Sequence, residues 1–165
     1  MNPMSIGKQL LGLLVWIGVT AIAAAIGATG SMNAATFYQA LNLPSFAPPS
    51  SVFGPVWSIL YLLMGIAAWL IWRERGSFAA ASTALSLYLI QLVVNAVWSW
   101  AFFNWHTGLG SFAIIVILWI LLVLTLIQFW RINKLAGVLL LPYLAWVSFA
   151  AVLNYTVWQM NPTIL

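Results

Sequence analysis

Five nearly uncharged apolar stretches, at about 6–28, 52–72, 78–103, 109–130 and 135–158, make up most of this 165-residue chain. Each is long enough for an α-helix to cross the hydrocarbon core of a bilayer, which takes about 20 residues. Only 4% of the residues are charged and 65% are hydrophobic, whereas about a quarter of an average soluble domain is charged. A globule in water covers itself with polar groups, and five cations with one acid cannot do that. Intrinsic disorder fails on the same composition, since it needs low hydrophobicity. The runs are apolar on every face rather than alternating, so they are not outer-membrane barrel strands. Backbone groups in lipid must bond within their own segment. The expected fold class is therefore all-α: a polytopic membrane protein, a five-transmembrane-helix bundle, one domain over 1–165.

The charges report topology. Lys8, then Arg73, Glu74 and Arg75, then Arg131 and Lys134, all fall at or near the edges of the apolar runs. Threading five spans puts these positions on one side of the membrane. The other side receives 29–51, the turn around His106 and the C-terminus, without a Lys or Arg. Positive residues stay inside, which predicts a cytoplasmic N-terminus and an exported C-terminus. The links between spans two and three, three and four, and four and five are short, so these neighbours are expected to pack antiparallel. Cations spread along the sequence make no basic patch of the kind that nucleic acid needs.

The first span has a competing reading as a secretory signal, with Lys8, an apolar core and small residues near its end. The better reading makes Ala21, Ala23, Ala25 and Gly27 a face for close helix packing. Connection 29–51 is the long one, rich in Asn, Ser, Gly and Pro. Its second half cannot be regular helix, because each proline removes a donor and extends the residue before it. Structureless loops of this length are uncommon unless functional, so it is expected to act as a lid. Ala80 and Ala84 suggest a homodimer contact by the same small-residue logic.

The chain has no cysteine, one acid (Glu74) and one imidazole (His106). Disulfides, thiolate metal sites and cysteine nucleophiles are excluded, and little remains for acid–base or metal chemistry. His106 lies in the turn between spans three and four and reads as an exposed loop residue rather than a haem ligand. Glu74, between two arginines, reads as a solvated juxtamembrane charge. No metal site and no obligatory cofactor are expected.

What remains is aromatic and amide. Gln91, Asn95 and Trp98 recur at i, i+4 and i+7, on one face of the third span. Tyr143, Trp146, Ala150 and Asn154 share a face of the fifth, and Trp57, Tyr61, Met64 and Gly65 one of the second. Amides inside a membrane face the bundle interior or a polar cavity. Three such faces suit a flat, mostly apolar ligand with a few polar edges. They also suit interhelical bonding alone, which contributes roughly 0.6–2 kcal/mol per bond without any ligand. Spacing leaves the two readings open. Among eleven tryptophans, Trp16, Trp69, Trp72, Trp105, Trp130 and Trp158 lie toward span ends and are expected at the membrane interface. Trp119 is expected to pack mid-span, and Trp57, Trp98 and Trp146 to form a pocket wall.

The run from Phe37 through Tyr38, Pro44, Phe46, Pro48 and Pro49, followed by Val52-Phe53-Gly54-Pro55-Val56-Trp57-Ser58, resembles the translocator protein family. Its bacterial members are the tryptophan-rich sensory proteins. The resemblance continues through Gln91, Asn95, Trp98 and Ser99, through Ala136, Gly137, Pro142, Tyr143 and Trp146, and through Leu153-Asn154-Tyr155 to Trp158 and Asn161. It covers nearly the whole chain, with the motifs in the family's order. It implies a five-helix bundle, often dimeric, that binds porphyrins such as protoporphyrin IX and haem in a cavity beneath the first long loop. Matching positions for that cavity are Tyr38, Pro48, Trp57, Asn95, Trp98, Trp146 and Ala150; helix faces add Tyr61, Gln91 and Asn154. Phe37 and Phe46 stand where relatives commonly have tryptophan, and Leu43 where a lysine is common. Tyr155 is followed by neither Lys nor Arg, so the sterol-recognition pattern is incomplete.

The favoured function is a receptor or regulator in a bacterial cell membrane. Its partners would be porphyrins or similar apolar small molecules, the bilayer and a second copy. The alternatives are a light-dependent porphyrin-degrading enzyme, with Trp57 or Trp146 as redox partner, and a tetrapyrrole transporter. The topology has a direct test in a chain without native cysteine. In intact cells a membrane-impermeant maleimide should label Thr163→Cys and spare Ser5→Cys; the opposite pattern overturns the charge-based orientation.

Overall fold

In the computed structural model, which describes residues 4–165, six α-helices form and no strand appears among the described residues. They are α1 (Ile6–Gly30), α2 (Ala34–Ala40), α3 (Phe53–Arg75), α4 (Ser82–Phe103), α5 (Gly108–Ile132) and α6 (Lys134–Met160). All but the short α2 are long and apolar enough to span a bilayer. Local chemistry sets their ends. The Ser5 hydroxyl accepts from the Lys8 amide at the start of α1. Gly76 closes α3 in the left-handed conformation at φ 80°, where a side chain is costly. Asn133, a single extended residue, separates α5 from α6 and caps α6 by accepting from the Ala136 amide at 3.1 Å. Pro142 lies inside α6 and is tolerated there, as prolines often are in membrane helices.

The spans make a closed ring in the order α1, α3, α6, α5, α4 and back to α1. The α4–α5 and α5–α6 pairs are antiparallel neighbours, as their short links require. The α3–α4 pair departs from that expectation: despite their short link, the two helices approach closely at few places, among them where the side chains of Trp57 and Tyr61 meet those of Trp98 and Asn95. Helix α1 takes the place between them, because its small residues seat both. A Cβ on Gly65 of α3 would stand 3.1 Å from the Ile17 Cα, and Gly12 receives the Trp72 ring. On the other side Gly27 faces α4, where its Cβ would lie 3.6 Å from the Ala96 Cα.

The small residues of α1 therefore act as expected only in part. Ala23 and Gly27 pack inward, whereas Ala21 and Ala25 are exposed. Alternate positions on a helix point to different faces, so the four cannot share one. Ala84 is likewise corrected: it is 2% exposed and belongs to the chain's own core, so it is not available to a dimer contact. Ala80 is exposed.

The core runs along the ring's axis through Met64, Ile71, Leu85, Leu118, Leu122 and Phe129. Trp16 belongs to it rather than to the membrane interface. It is 7% exposed and packs edge-on to Tyr88, whose hydroxyl shares a 2.6 Å hydrogen bond with Thr20. Trp119 departs in the opposite sense, 39% exposed on the outer surface, with its indole N–H donated to the Ser148 hydroxyl. Distance from a span end does not tell which way a side chain faces. Trp105 and Trp130 are exposed, as interface residues should be.

Connection 29–51 is not loop throughout: it contains α2 and a 3₁₀ turn at Ser50–Val52. Pro44–Pro49 carries no regular helix, as its prolines dictate. The segment is pinned at its middle. Asn161 beyond α6 accepts from the Asn42 amide at 2.8 Å and donates to the Asn42 carbonyl at 2.9 Å. Close α1–α3 packing gives a stability test. Gly65→Ala must push the Ile17 backbone by a few tenths of an ångström, at a cost of about 1–3 kcal/mol. Its thermal midpoint in detergent should fall below wild type, whereas Gly18→Ala, with nothing within 4 Å of the new Cβ, should not lower it.

Candidate functional site

At the end of the bundle opposite the cations, α1 and α3 diverge and leave a cleft of about 550 Å³ beneath α2. Its walls differ in kind. Helix α1 contributes Ala24, Ala25, Gly27 and Ala28, with almost no side-chain bulk. Helices α3 and α4 contribute Phe53, Trp57, Tyr61, Trp98 and Phe103. Ala34, Ala35 and Tyr38 of α2 form the roof. The polar lining groups are the hydroxyls of Ser31, Ser50, Ser58, Ser99 and the two tyrosines, and no charged side chain lines the cleft. Ala25, Ala28, Gly54 and Ser58 are exposed as well as lining, so the cleft opens on the outer surface between α1 and α3.

Four sequence-predicted positions line this cleft: Tyr38, Trp57, Tyr61 and Trp98. Trp57 is the hub of an aromatic group, with Tyr61 at 5.5 Å, Trp98 and Tyr143 each at 6.2 Å and Trp146 at 6.4 Å between ring centres. The three expected wall tryptophans are therefore neighbours through Trp57, although Trp146 stands behind it against Phe53 and Phe149. Ala150 is buried on α6, and Pro48 meets the site through its carbonyl, which accepts from the Tyr38 hydroxyl at 3.0 Å. Burial raises the Tyr38 pKa above its usual 10.0, so this hydroxyl keeps its proton, and the bond, across neutral pH.

The amides lie deeper than the cleft surface. Tyr61 donates to Asn95 Oδ1 at 3.0 Å, Asn95 Nδ2 donates to the Tyr143 oxygen at 2.7 Å, and Tyr143 donates to Gln91 Oε1 at 2.8 Å. This chain of bonds leads from the cleft wall to the fully buried Gln91, joining α3, α4 and α6. A second set joins α4, α6 and α5: Trp98 Nε1 donates to Asn154 Oδ1 at 2.9 Å, and Asn154 Nδ2 to the Ser111 hydroxyl at 3.1 Å. Gln91, Asn95 and Asn154 thus bond between helices and do not line the cleft. Two buried donors, Gln91 Nε2 and Trp146 Nε1, have no acceptor among the described residues. An unpaired buried donor costs about 1–3 kcal/mol.

His106 is exposed in the turn after α4, at φ 51°, and stacks on Phe37 of α2 with ring centres 4.0 Å apart. It secures the roof and has no other metal-ligating side chain for company: no metal-type cluster occurs among the described residues. Glu74 is exposed, with Asn133 at 3.5 Å. Sequence reasoning missed the rings of Phe53 and Phe103, the flanking serines and the α1 wall. The signal of that wall is weak, because a wall made by missing side chains has no motif.

The bond network makes a prediction. Tyr143→Phe removes one hydroxyl and leaves both Asn95 Nδ2 and Gln91 Oε1 without that partner. Unfolding in mixed micelles should show a loss of about 1–3 kcal/mol. Tyr155→Phe, whose hydroxyl forms no hydrogen bond among the described residues, serves as the control and should lose little.

The profile of the TspO/MBR family matches residues 14–159. Tryptophan-rich protein TspO of Chlorobaculum tepidum is 40% identical over 156 residues, covering 94% of this chain and 99% of its own length. Protein CrtK of Rhodobacter capsulatus is 35% identical over 140 residues, 84% of this chain and 88% of its own. The translocator protein of Homo sapiens is 37% identical over 126 residues, 76% of this chain and 75% of its own. With the ring of five membrane-spanning helices and most of the chain matched, this protein is an integral membrane protein that belongs to the TspO/MBR family.

Proposed function

We propose that this chain is a membrane receptor or regulator for porphyrins, such as protoporphyrin IX and haem, and for similar flat apolar molecules, bound in the cleft beneath α2. The observation that carries the reading is the cleft's asymmetry: indoles and phenols on α3 and α4 face a wall of alanine and glycine on α1. A planar ligand needs that arrangement, a π-surface to stack on and a flat surface opposite. The volume of about 550 Å³ falls within the range of small-molecule sites, about 300–1,000 Å³. The unpaired N–H of Trp146, beside Trp57, is where a ligand acceptor gains most if the wall shifts.

With no acid, imidazole or metal cluster in the cleft, its residues supply shape, stacking and hydroxyl bonds. The ligand acts by favouring one arrangement of α2 and α3 over another, which requires differential contact with the two. Tyr38–Pro48 and Phe37–His106 are the contacts that such a movement of the roof strains or releases. No cofactor is obligatory in this reading, and porphyrin or haem is the ligand. The protein sits in a bacterial cell membrane with its cationic end in the cytoplasm, as a homodimer whose contact surface excludes Ala84.

A second reading rests on Trp57. Ringed by Tyr61, Trp98, Tyr143 and Trp146, it is placed to exchange an electron with a photo-excited porphyrin stacked upon it, and Trp146 is the next carrier. One titration separates the two. Protoporphyrin IX added to purified protein in detergent should quench tryptophan fluorescence saturably in the dark. Trp98→Leu and Gly27→Leu should each weaken binding at least about tenfold, the effect of about 1.4 kcal/mol. Absence of saturable quenching at micromolar porphyrin sinks the receptor reading. Loss of the Soret band under light, slowed in Trp57→Phe, makes the protein a photoenzyme.

A further inference from the structure

Spread along the sequence, the five cations come together in the fold. Lys8 lies in the first turn of α1, Arg73 and Arg75 in the last turn of α3, Arg131 in the last turn of α5, and Lys134 opens α6. Antiparallel threading puts all of these at one end of the bundle, and three contacts make that end continuous. Trp69 Nε1 donates to the Gln9 carbonyl at 2.9 Å, holding the start of α1 to the end of α3. The Arg73 guanidinium lies 4.6 Å from the centre of the same indole. Asn133 Nδ2 reaches Glu74 Oε2 at 3.5 Å, joining the end of α3 to the α5–α6 link.

This end is strongly unbalanced. All five cationic residues are exposed, and Glu74 is the one acid in the sequence, so at least four positive charges have no compensation within the chain. Two placements also run against helix electrostatics. A helix N-terminus carries partial positive charge and favours acids. Here α1 and α6 have no acid in the first turn and carry Lys8 and Lys134 instead. Like charge is stacked on like, and an anion from outside would relieve it. At the edge of a bilayer that anion is the lipid head-group phosphate.

We propose that the cationic end is a binding surface for anionic phospholipids, whose phosphodiesters sit against Arg131, Lys134 and Arg75 around the Glu74–Asn133 contact. Lipids on this surface tie α3 to the α5–α6 link from outside, and they bind N but not the unfolded chain, so they stabilise the fold by mass action. The proposal uses the end of the bundle opposite the cleft and stands apart from the ligand reading.

The test compares purified protein in an uncharged detergent with added phosphatidylglycerol or phosphatidylcholine, reading thermal midpoint and lipid-bound masses by native mass spectrometry. Phosphatidylglycerol should raise the midpoint and phosphatidylcholine should not, and about 0.5 M NaCl should erase the difference by screening. Arg131→Gln with Lys134→Gln should lose about half of the rise; Arg75→Gln alone provides an independent, milder variant. Adding Asn104→Lys and Thr163→Lys to the double variant restores the net charge at the opposite end and should not restore the rise. The proposal fails if both lipids act alike, if the double and single variants keep the full rise, or if the relocated charges recover it. It also fails if inorganic phosphate or a short oligonucleotide reproduces the effect, since the surface then reads any polyanion rather than lipid.

Discussion

In a bilayer the interior of the bundle has no water to fall back on, and the hydroxyl of Tyr143 is where this constraint is met. It accepts from Asn95 and donates to Gln91, while Asn95 accepts from Tyr61. Those bonds hold α3 and α6 in register with α4 at the depth where the helices have least else to tell them apart. Leucine packing against lipid and against another helix is energetically similar, so apolar contact alone selects no partner. A polar group left unpaired there is penalised strongly, and the register that pairs it is selected. The Trp98–Asn154–Ser111 set does the same for α4, α5 and α6.

Helix α1 is outside both networks and is held differently. Its contacts include Gly12, Gly27 and Gly30 receiving or admitting α3 and α4, one hydrogen bond shared between the Thr20 and Tyr88 hydroxyls, and indole bonds to its backbone at Gln9 and Ile26. It therefore relies on close approach, which fails quickly when helices separate, whereas α3–α6 relies on directional bonds. That difference places the cleft: it opens along the α1–α3 seam, where few directional bonds resist, and it stops at Tyr61, where the first amide bond begins.

The apolar runs fix five spans in the sequence with little ambiguity, since lipid thickness dictates their length. Faces were legible too: Gln91, Asn95 and Trp98 are all buried on one side of α4. Their partners were not, because Tyr143 and Asn154 lie 48 to 56 residues away and spacing along one helix says nothing of what faces it. For the same reason the short α3–α4 link suggested neighbours where the ring inserts α1, and Trp16 and Trp119 exchanged their expected surroundings. Helix α2 escaped because seven residues leave no period to detect. Of the cleft residues, Trp57, Tyr61 and Trp98 were readable from their helix faces, whereas Phe53, Phe103 and the small residues of α1 were not.

The amides and the cleft are thus not rival explanations of the same residues. Asn95, Asn154 and the Gln91 carbonyl bond to other helices, and the cleft itself is uncharged and lined by hydroxyls and rings. A polar frame behind an aromatic wall couples the two mechanically. Any ligand that moves Tyr61 loads the bond to Asn95, and through Tyr143 the strain reaches α6 without a further contact. Displacement of Trp57 presses on Trp146, whose buried N–H is free to find an acceptor once the packing gives. The roof is tied to the same helix from the other side through Asn42 and Asn161. Helix α6 is therefore coupled to the cleft by two routes, through the Tyr61–Asn95–Tyr143 bonds and through the Asn42–Asn161 pair beside α2.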